Sequence, residues 1–140
     1  MFDHVFSFCV LEHIPNLEVV LARVIQILKP GGMFHMSVDS LGTIQDERLR
    51  AKHKSDHHVV QYFTSDTLKT QLEQAGFQVV TTYPIMTSDF ARSEFERRIV
   101  KGHKYAFLKR IRVATRFQKE DEQERGREGI MVIGHARRPE

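Results

Sequence analysis

Three side chains that can take part in chemistry follow the first apolar segment of this 140-residue chain: Cys9, Glu12 and His13. A histidine can accept a proton near neutral pH, which makes His13 the best candidate for chemistry. The alternative, which the sequence leaves equally open, is that His13 caps or orients a loop, and for Glu12 we favour such a structural role. Because no cationic residue beside Cys9 in the sequence would lower the pKa of its thiol, we interpret Cys9 as buried apolar filling.

A second group of potential ligands comes later, at His53, His57 and His58. A spacing of four residues places two imidazoles on one face of a helix, as a metal site could require. We identify no cysteine or carboxylate partner in the sequence that would complete such a site. We therefore favour a polar loop for residues 39–61, which contains at most a short helix at 43–52.

The apolar pattern predicts the elements that must position these side chains. Residues 3–9 are mostly aromatic or β-branched and predict a strand buried on both faces, and residues 33–38 predict a second strand. Between the two strands, apolar residues recur every three or four positions, which indicates a helix with one apolar face. These residues are Leu17, Val20, Leu21, Val24 and Leu28. The Pro-Gly-Gly sequence at 30–32 is expected to end that helix.

The rest of the chain continues this alternation. Thr64 and Gly76 enclose a predicted helix, and residues 77–82 predict the next strand. Residues 88–125 are predicted to be mostly helical, and residues 130–136 form the last predicted strand. The order β-α-β-loop-α-β-α-β predicts one α/β domain with a mostly parallel sheet.

Composition limits the classes of function. The net charge of +3 is too small an excess to indicate nucleic-acid binding, and we interpret the basic residues between 92 and 116 as a solvated helical face. No apolar run approaches the ~20 residues that a transmembrane helix needs, so no membrane span is predicted. Cys9 is the only cysteine, which excludes a disulfide within the chain. Since no secretory signal is predicted either, we expect a cytoplasmic protein.

Two motifs give the chain a resemblance to a known family. Residues 2–13 are similar to the pattern F-D-x-V-x-S/C-x-x-V-L-E-H, and residues 28–32 supply L-K-P-G-G. In this order and spacing, the motifs resemble class I S-adenosylmethionine (SAM) dependent methyltransferases, particularly those that act on small molecules. Residues 68–77 and 129–137 resemble later parts of the same domain.

This resemblance implies a partial Rossmann-like class I methyltransferase fold of the α/β class. Residues 1–140 would be the C-terminal part of one domain, with strands four to seven in the order 4-5-7-6 and strand seven antiparallel. Residues 39–61 and 88–125 would be a substrate-side loop and helical insertions.

The resemblance also implies a site beyond the carboxyl end of the first strand. Phe8 and its neighbours Cys9 and Val10 would form a wall of the SAM site. His13 could take the proton of the methyl acceptor, and Asp39 would lie where the acceptor enters.

Two further expectations concern this pocket. Tyr62 and Phe63 would either line it or pack at the start of the next helix. Some related O-methyltransferases of quinone biosynthesis hold a divalent cation with the pattern E-x-x-E-H. Cys9 stands where the first glutamate would be, so no metal site is predicted.

The glycine-rich loop of the family, E/D-x-G-x-G-x-G, does not occur in the sequence. We therefore expect methyl transfer to a small-molecule, lipid or sugar acceptor to require a missing N-terminal half, or a partner chain at the open sheet edge. The alternative is a non-catalytic, degenerate methyltransferase half that acts as a protein-binding module through that edge.

Overall fold

A computed structural model describes residues 1–102, 107–123 and 128–140, and within these ranges strands and helices alternate. The strands are β1 (Phe2–Phe8), β2 (Leu28–Asp39), β3 (Gln78–Ile85) and β4 (Met131–Arg137). The helices are α1 (Leu17–Ile27), α2 (Glu47–Asp56), α3 (Ser65–Gln74), α4 (Asp89–Lys101) and α5 (Phe107–Gln123). A single 3-10 turn, Leu11–His13, connects β1 to α1. None of the helices in these ranges has the length and apolar character that crossing a bilayer requires.

The four strands form one sheet in the order β1-β2-β4-β3. β1 and β2 are parallel, whereas β4 runs antiparallel to both of its neighbours. This arrangement confirms the predicted α/β class, the 4-5-7-6 strand order and the antiparallel last strand. Because β1 and β2 are parallel, their carboxyl ends lie at the same edge of the sheet.

One face of the sheet packs against α1 and α3. Phe34, Met36 and Val38 of β2 point toward this layer, and each is at most 1% exposed. Leu21 of α1 and Leu72 of α3 belong to the same apolar cluster. The alternation of side chains along β2 therefore assigns every second residue to this core.

The prediction of a first strand buried on both faces is wrong. β1 is an edge strand, and only its neighbour β2 pairs with it in the described part of the chain. Val5 packs against the core cluster, but Phe2, Phe6 and Phe8 are 59%, 61% and 62% exposed. An apolar pattern cannot distinguish a central strand from an edge strand whose outer side chains happen to be aromatic.

Two element boundaries also differ from the predictions. β2 begins at Leu28, so the Pro-Gly-Gly sequence lies inside the strand, where Gly31 has a φ of 73° and donates its N–H to the Arg138 carbonyl. Within the polar segment 39–61, where the sequence predicts at most a short helix at 43–52, α2 spans Glu47–Asp56. Asp46 caps this helix by accepting from the N–H groups of Arg48 and Leu49. The helical prediction for 88–125 agrees with α4 and α5, while its residues 103–106 and 124–125 lie outside the described residues.

Candidate functional site

The candidate site lies at the edge of the sheet where β1 and β2 end. Cys9 directly follows β1, and Asp39 is the last residue of β2. The backbone of Cys9 is in the left-handed region with a φ of 51°, and its N–H donates to the carbonyl of Ser37 at 3.0 Å. Its thiol lies 3.7 Å from the Ser37 hydroxyl. The carboxyl ends of neighbouring strands in an open α/β sheet are the usual place for a ligand.

Cys9 is exposed, so its interpretation as buried apolar filling is wrong. Desolvation by the surrounding protein atoms nevertheless raises the pKa of its thiol, and the carboxylates of Asp39 and Glu12 raise it further. The hydrogen bond from Ser37 opposes this shift. The thiol is therefore accessible but is not activated as a nucleophile by its surroundings.

Glu12 is the most unusual residue of the site. Its side chain is 0% exposed, and among the described residues no donor reaches either carboxylate oxygen in hydrogen-bond geometry. Burial and the charge of Asp39 raise the pKa of this carboxyl, whereas His13 and the nearby backbone N–H groups of Glu12 and Asp39, which do not reach hydrogen-bond geometry, lower it. A buried carboxylate without donors is costly, so Glu12 needs either a proton or a cation.

His13 lies at the rim of the site, half-buried. Its Nε2 is 4.0 Å from Oε1 of Glu12, and its Nδ1 is 3.4 Å from the carbonyl of His58. Both contacts are long, so the imidazole remains available to another partner. The structure thus places His13 next to Glu12, where either of the two roles predicted for it is geometrically open.

Asp39 connects the site to α2. One of its carboxylate oxygens lies 3.7 Å from Nε2 of His53, and Nδ1 of that histidine lies 3.1 Å from the Tyr62 hydroxyl. His53 is 5% exposed, and burial, together with the neighbouring His57 and His13, lowers its pKa to about 4. Burial raises the pKa of Asp39, while His13 and His57 lower it.

Two of the predicted wall residues are exposed. Phe8 and Val10 are 62% and 46% exposed, and the ring of Phe8 lies 6.1 Å from that of Phe6. Of the two aromatic residues predicted either to line the pocket or to pack, Phe63 is buried in the main apolar cluster, and Tyr62 contacts His53 instead.

The sequence places His53, His57 and His58 in one group, but the three side chains differ in exposure. Only His53 is buried, while His57 and His58 are exposed. The ring centroids of His57 and His53 lie 4.5 Å apart, with the two rings tilted by 34°. The burial of His53 could have been predicted from the helical periodicity of α2, which places it on the same side of the helix as Leu49.

A cavity lies away from these residues, between β3 and α5. Its volume is about 810 Å³, and its lining includes Tyr83, Ile85, Met86 and Phe117. None of the charged residues of the candidate site contributes to it. Its walls are mainly apolar, and they also include the carboxylates of Glu122 and of Asp121, which accepts from the N–H groups of Met86 and Thr87.

Comparison with known proteins identifies what this arrangement resembles. Residues 1–82 match a family described as "Methyltransferase domain", and this range includes every residue of the candidate site. No curated protein sequence matches the chain.

Several solved structures share the fold. Phosphoethanolamine N-methyltransferase 2 of Haemonchus contortus, in complex with S-adenosyl-L-methionine, is 18% identical with a TM-score of 0.63, over 99% of this chain and 34% of that one. A SAM-dependent methyltransferase of Mesorhizobium loti is 18% identical with a TM-score of 0.60, over 98% of this chain and 62% of that one. The 4+2 cyclase SpnF is 17% identical with a TM-score of 0.61, over 99% of this chain and 50% of that one. The chain thus spans between about a third and about three fifths of the length of these structures.

Proposed function

Because this chain belongs to the methyltransferase domain family, we propose that it forms part of an enzyme that transfers a methyl group from SAM to a small-molecule, lipid or sugar acceptor. The observation that carries the proposal is the position of the candidate site. The family match covers the two parallel strands whose carboxyl ends hold Cys9, Glu12, His13 and Asp39. In a fold of this kind, the ligand crevice lies at that edge.

The cofactor would bind beside Phe8, Cys9 and Val10. Phe8 and Val10 present exposed apolar surface next to the crevice, which suits the adenine ring of SAM. When bound, SAM supplies the methyl group on a sulfonium, and the protein contributes mainly by holding the acceptor in line with it.

His13 would act on the acceptor. Its imidazole is half-buried at the rim, and its two polar contacts are long, at 3.4 and 4.0 Å. It can therefore turn toward an acceptor that still carries its proton and remove that proton. The buried carboxylate of Glu12 would stabilise the protonated imidazole.

Activity would require further polypeptide at the edge of β1. Among the described residues, no strand pairs with one side of β1, and the exposed side chains of β1 include Phe2, Phe6 and Phe8. The solved structures that share the fold are longer than this chain. We infer that a strand with its own covering helices pairs with β1, supplied either by further sequence or by a partner chain.

Photo-cross-linking tests the proposed cofactor site. The chain is irradiated with methyl-labelled SAM at millimolar concentration, and the labelled peptide is identified by mass spectrometry. We expect the label within residues 2–13, and S-adenosylhomocysteine should compete for it. Label that S-adenosylhomocysteine does not displace, or that lies mainly outside this edge of the sheet, would contradict the proposal.

The second candidate function is a non-catalytic protein-binding module. The exposed aromatic side chains of β1 favour it, because an unpaired strand edge can accept a strand from another protein. The fold alone does not decide the reaction, since one similar structure is of a protein named as a cyclase. A defined complex in size-exclusion chromatography, formed by a chain that shows no cross-linking to SAM, would favour the module.

A further inference from the structure

Three metal-ligating atoms meet at the carboxyl edge of the sheet. Sγ of Cys9, a carboxylate oxygen of Glu12 and a carboxylate oxygen of Asp39 all lie within 4.8 Å of one another. They come from three elements: the end of β1, the following 3-10 turn and the end of β2. The parallel pairing of β1 and β2 is what brings the third atom next to the first two.

The burial of Glu12 without a hydrogen-bond donor is an independent indication that an ion binds at this cluster. Its side chain is 0% exposed, and neither of its oxygens has a hydrogen-bond donor among the described residues. One of these oxygens belongs to the cluster with the Cys9 thiol and the Asp39 carboxylate. A buried acceptor without a donor is rare in proteins and calls for an explanation, for which an unseen ion is a recognised case.

We propose that Cys9, Glu12 and Asp39 bind a zinc ion, with one thiolate and two carboxylates as its protein ligands. Zinc accepts Cys sulfur at about 2.3 Å and carboxylate oxygen at about 2.0–2.2 Å, and sites with three protein ligands leave a fourth position for water. Ligand atoms on one tetrahedral zinc are about 3.5 Å apart on these bond lengths, so the three ligand atoms must approach one another by at most about 1.3 Å. Cys9 is exposed and can make this adjustment, and its open side gives the ion a path of entry.

The thiolate determines which ion fits. Magnesium and calcium prefer oxygen ligands throughout, whereas a cysteine sulfur favours zinc among the abundant divalent cations. The set also differs from the E-x-x-E-H pattern whose absence led to the prediction of no metal site. One of its donors, Asp39, lies on the next strand, where no local pattern around Cys9 could include it.

The neighbouring side chains support such a site. Nε2 of His53 lies 3.7 Å from a carboxylate oxygen of Asp39, and the Ser37 hydroxyl lies 3.7 Å from the Cys9 sulfur. Contacts of this kind hold metal ligands in orientation.

Cobalt(II) is the probe for the test, because a thiolate bound to it gives a charge-transfer band in the near ultraviolet. The full chain is first stripped with a chelator, then titrated with Co²⁺ without SAM, and finally titrated with Zn²⁺. We expect a band that saturates at one Co²⁺ per chain and disappears on addition of one equivalent of Zn²⁺. Cys9→Ser should abolish the band, and Glu12→Gln and Asp39→Asn should each weaken binding at least tenfold.

The control variants separate this site from others. Asp3→Asn removes an exposed carboxylate on β1 that pairs with Lys29, and His135→Gln removes an imidazole that a metal could bind elsewhere on the sheet. Both should leave the band and the affinity unchanged, and circular dichroism confirms that each variant is folded. Absence of the band, or a band that folded Glu12→Gln and Asp39→Asn variants leave at full strength, would overturn the proposal. Since SAM takes no part in the titration, either result leaves the proposed methyl transfer to be judged separately.

Discussion

A carboxylate oxygen of Asp39 and Nε2 of His53 lie 3.7 Å apart, which joins the end of β2 to α2 beside the candidate site. His53 is also in contact with the Tyr62 hydroxyl at 3.1 Å and with the ring of Phe95 at 5.4 Å. A single buried histidine thus connects the sheet edge, α2, α4 and the segment that leads into α3. The polar segment after β2 is therefore anchored to the site and is not simply a solvated loop.

We predict that His53→Ala destabilises the chain. The change removes a buried ring and its polar contacts, which should lower the free energy of unfolding by about 2 kcal/mol. Urea denaturation followed by circular dichroism measures this difference. Lys54→Ala, at an exposed position of α2, is the matched control and should change it by less than about 0.5 kcal/mol. Equal effects of the two substitutions would show that His53 has no anchoring role.

We predict a large loss of stability for Leu72→Ala. Leu72 is 0% exposed and belongs to the cluster between α3 and the sheet, so truncation leaves a cavity that costs about 3 kcal/mol. Val80→Ala in β3, where the side chain is 54% exposed, is the control and should cost less than about 1 kcal/mol. Thermal or urea unfolding compares the two variants. A cost for Leu72→Ala no greater than that of the control would contradict the described core.

A pH prediction follows from three histidines on the sheet face opposite α1 and α3. Nε2 of His35 lies 3.1 Å from Nδ1 of His4, and Nδ1 of His35 lies 2.8 Å from Nδ1 of His135. Desolvation lowers the pKa of His35, and the charges of His135 and His4 lower it further. The unfolded chain therefore binds a proton at this position at a higher pH than the folded chain does. Stability should fall as the pH decreases through about 6.5, the ordinary histidine value.

Urea denaturation between pH 7.5 and 5 measures this dependence, and His35→Gln should reduce its slope. His58→Asn is the control, because His58 is exposed, lies outside this trio and has a φ of 53° that asparagine tolerates. An unchanged slope in His35→Gln would contradict a contribution from this trio.

We predict that the exposed aromatic side chains of β1 drive self-association of the isolated chain. Phe6 and Phe8 lie on β1, an edge strand that pairs only with β2 among the described residues. An exposed strand edge is a known route to aggregation. Phe6→Lys combined with Phe8→Lys should weaken association at least tenfold in sedimentation-velocity experiments. Val19→Lys, at an exposed position of α1, is the control and should leave association unchanged. Equal association of the double variant and the wild type would indicate that another surface is responsible.

Much of the fold could be predicted because local patterns determine it. The three- and four-residue spacing from Leu17 to Leu28 predicted α1, and Thr64 caps α3 with the reciprocal hydrogen bonds of a capping box with Thr67. The strand order was not available from these patterns and came from the family resemblance. The open edge of β1 was expected, but the exposure of Phe6 and Phe8 on one of its faces was not. Burial depends on which elements pack against a strand, and periodicity contains no such information.

The site was predictable only in part, for a similar reason. Cys9, Glu12 and His13 are close in sequence, so their common location could be inferred from the motif. The burial of the Glu12 carboxylate without a hydrogen-bond donor could not be inferred, because it results from the packing of the segments around it. The contact between Asp39 and His53 also joins separate elements, and no local spacing encodes it.

The central claim, that the edge of the sheet at Phe8–His13 is the SAM site, is tested most directly by NMR spectroscopy. The ¹⁵N-labelled chain is titrated with SAM up to several millimolar, with adenosine and methionine as separate controls. We expect weak binding, in the high micromolar to millimolar range, with the largest amide shifts at Phe8, Cys9, His13 and Asp39. Phe8→Ala should reduce these shifts. Shifts that concentrate elsewhere, such as the cavity between β3 and α5, or no shifts at several millimolar SAM, would contradict the claim.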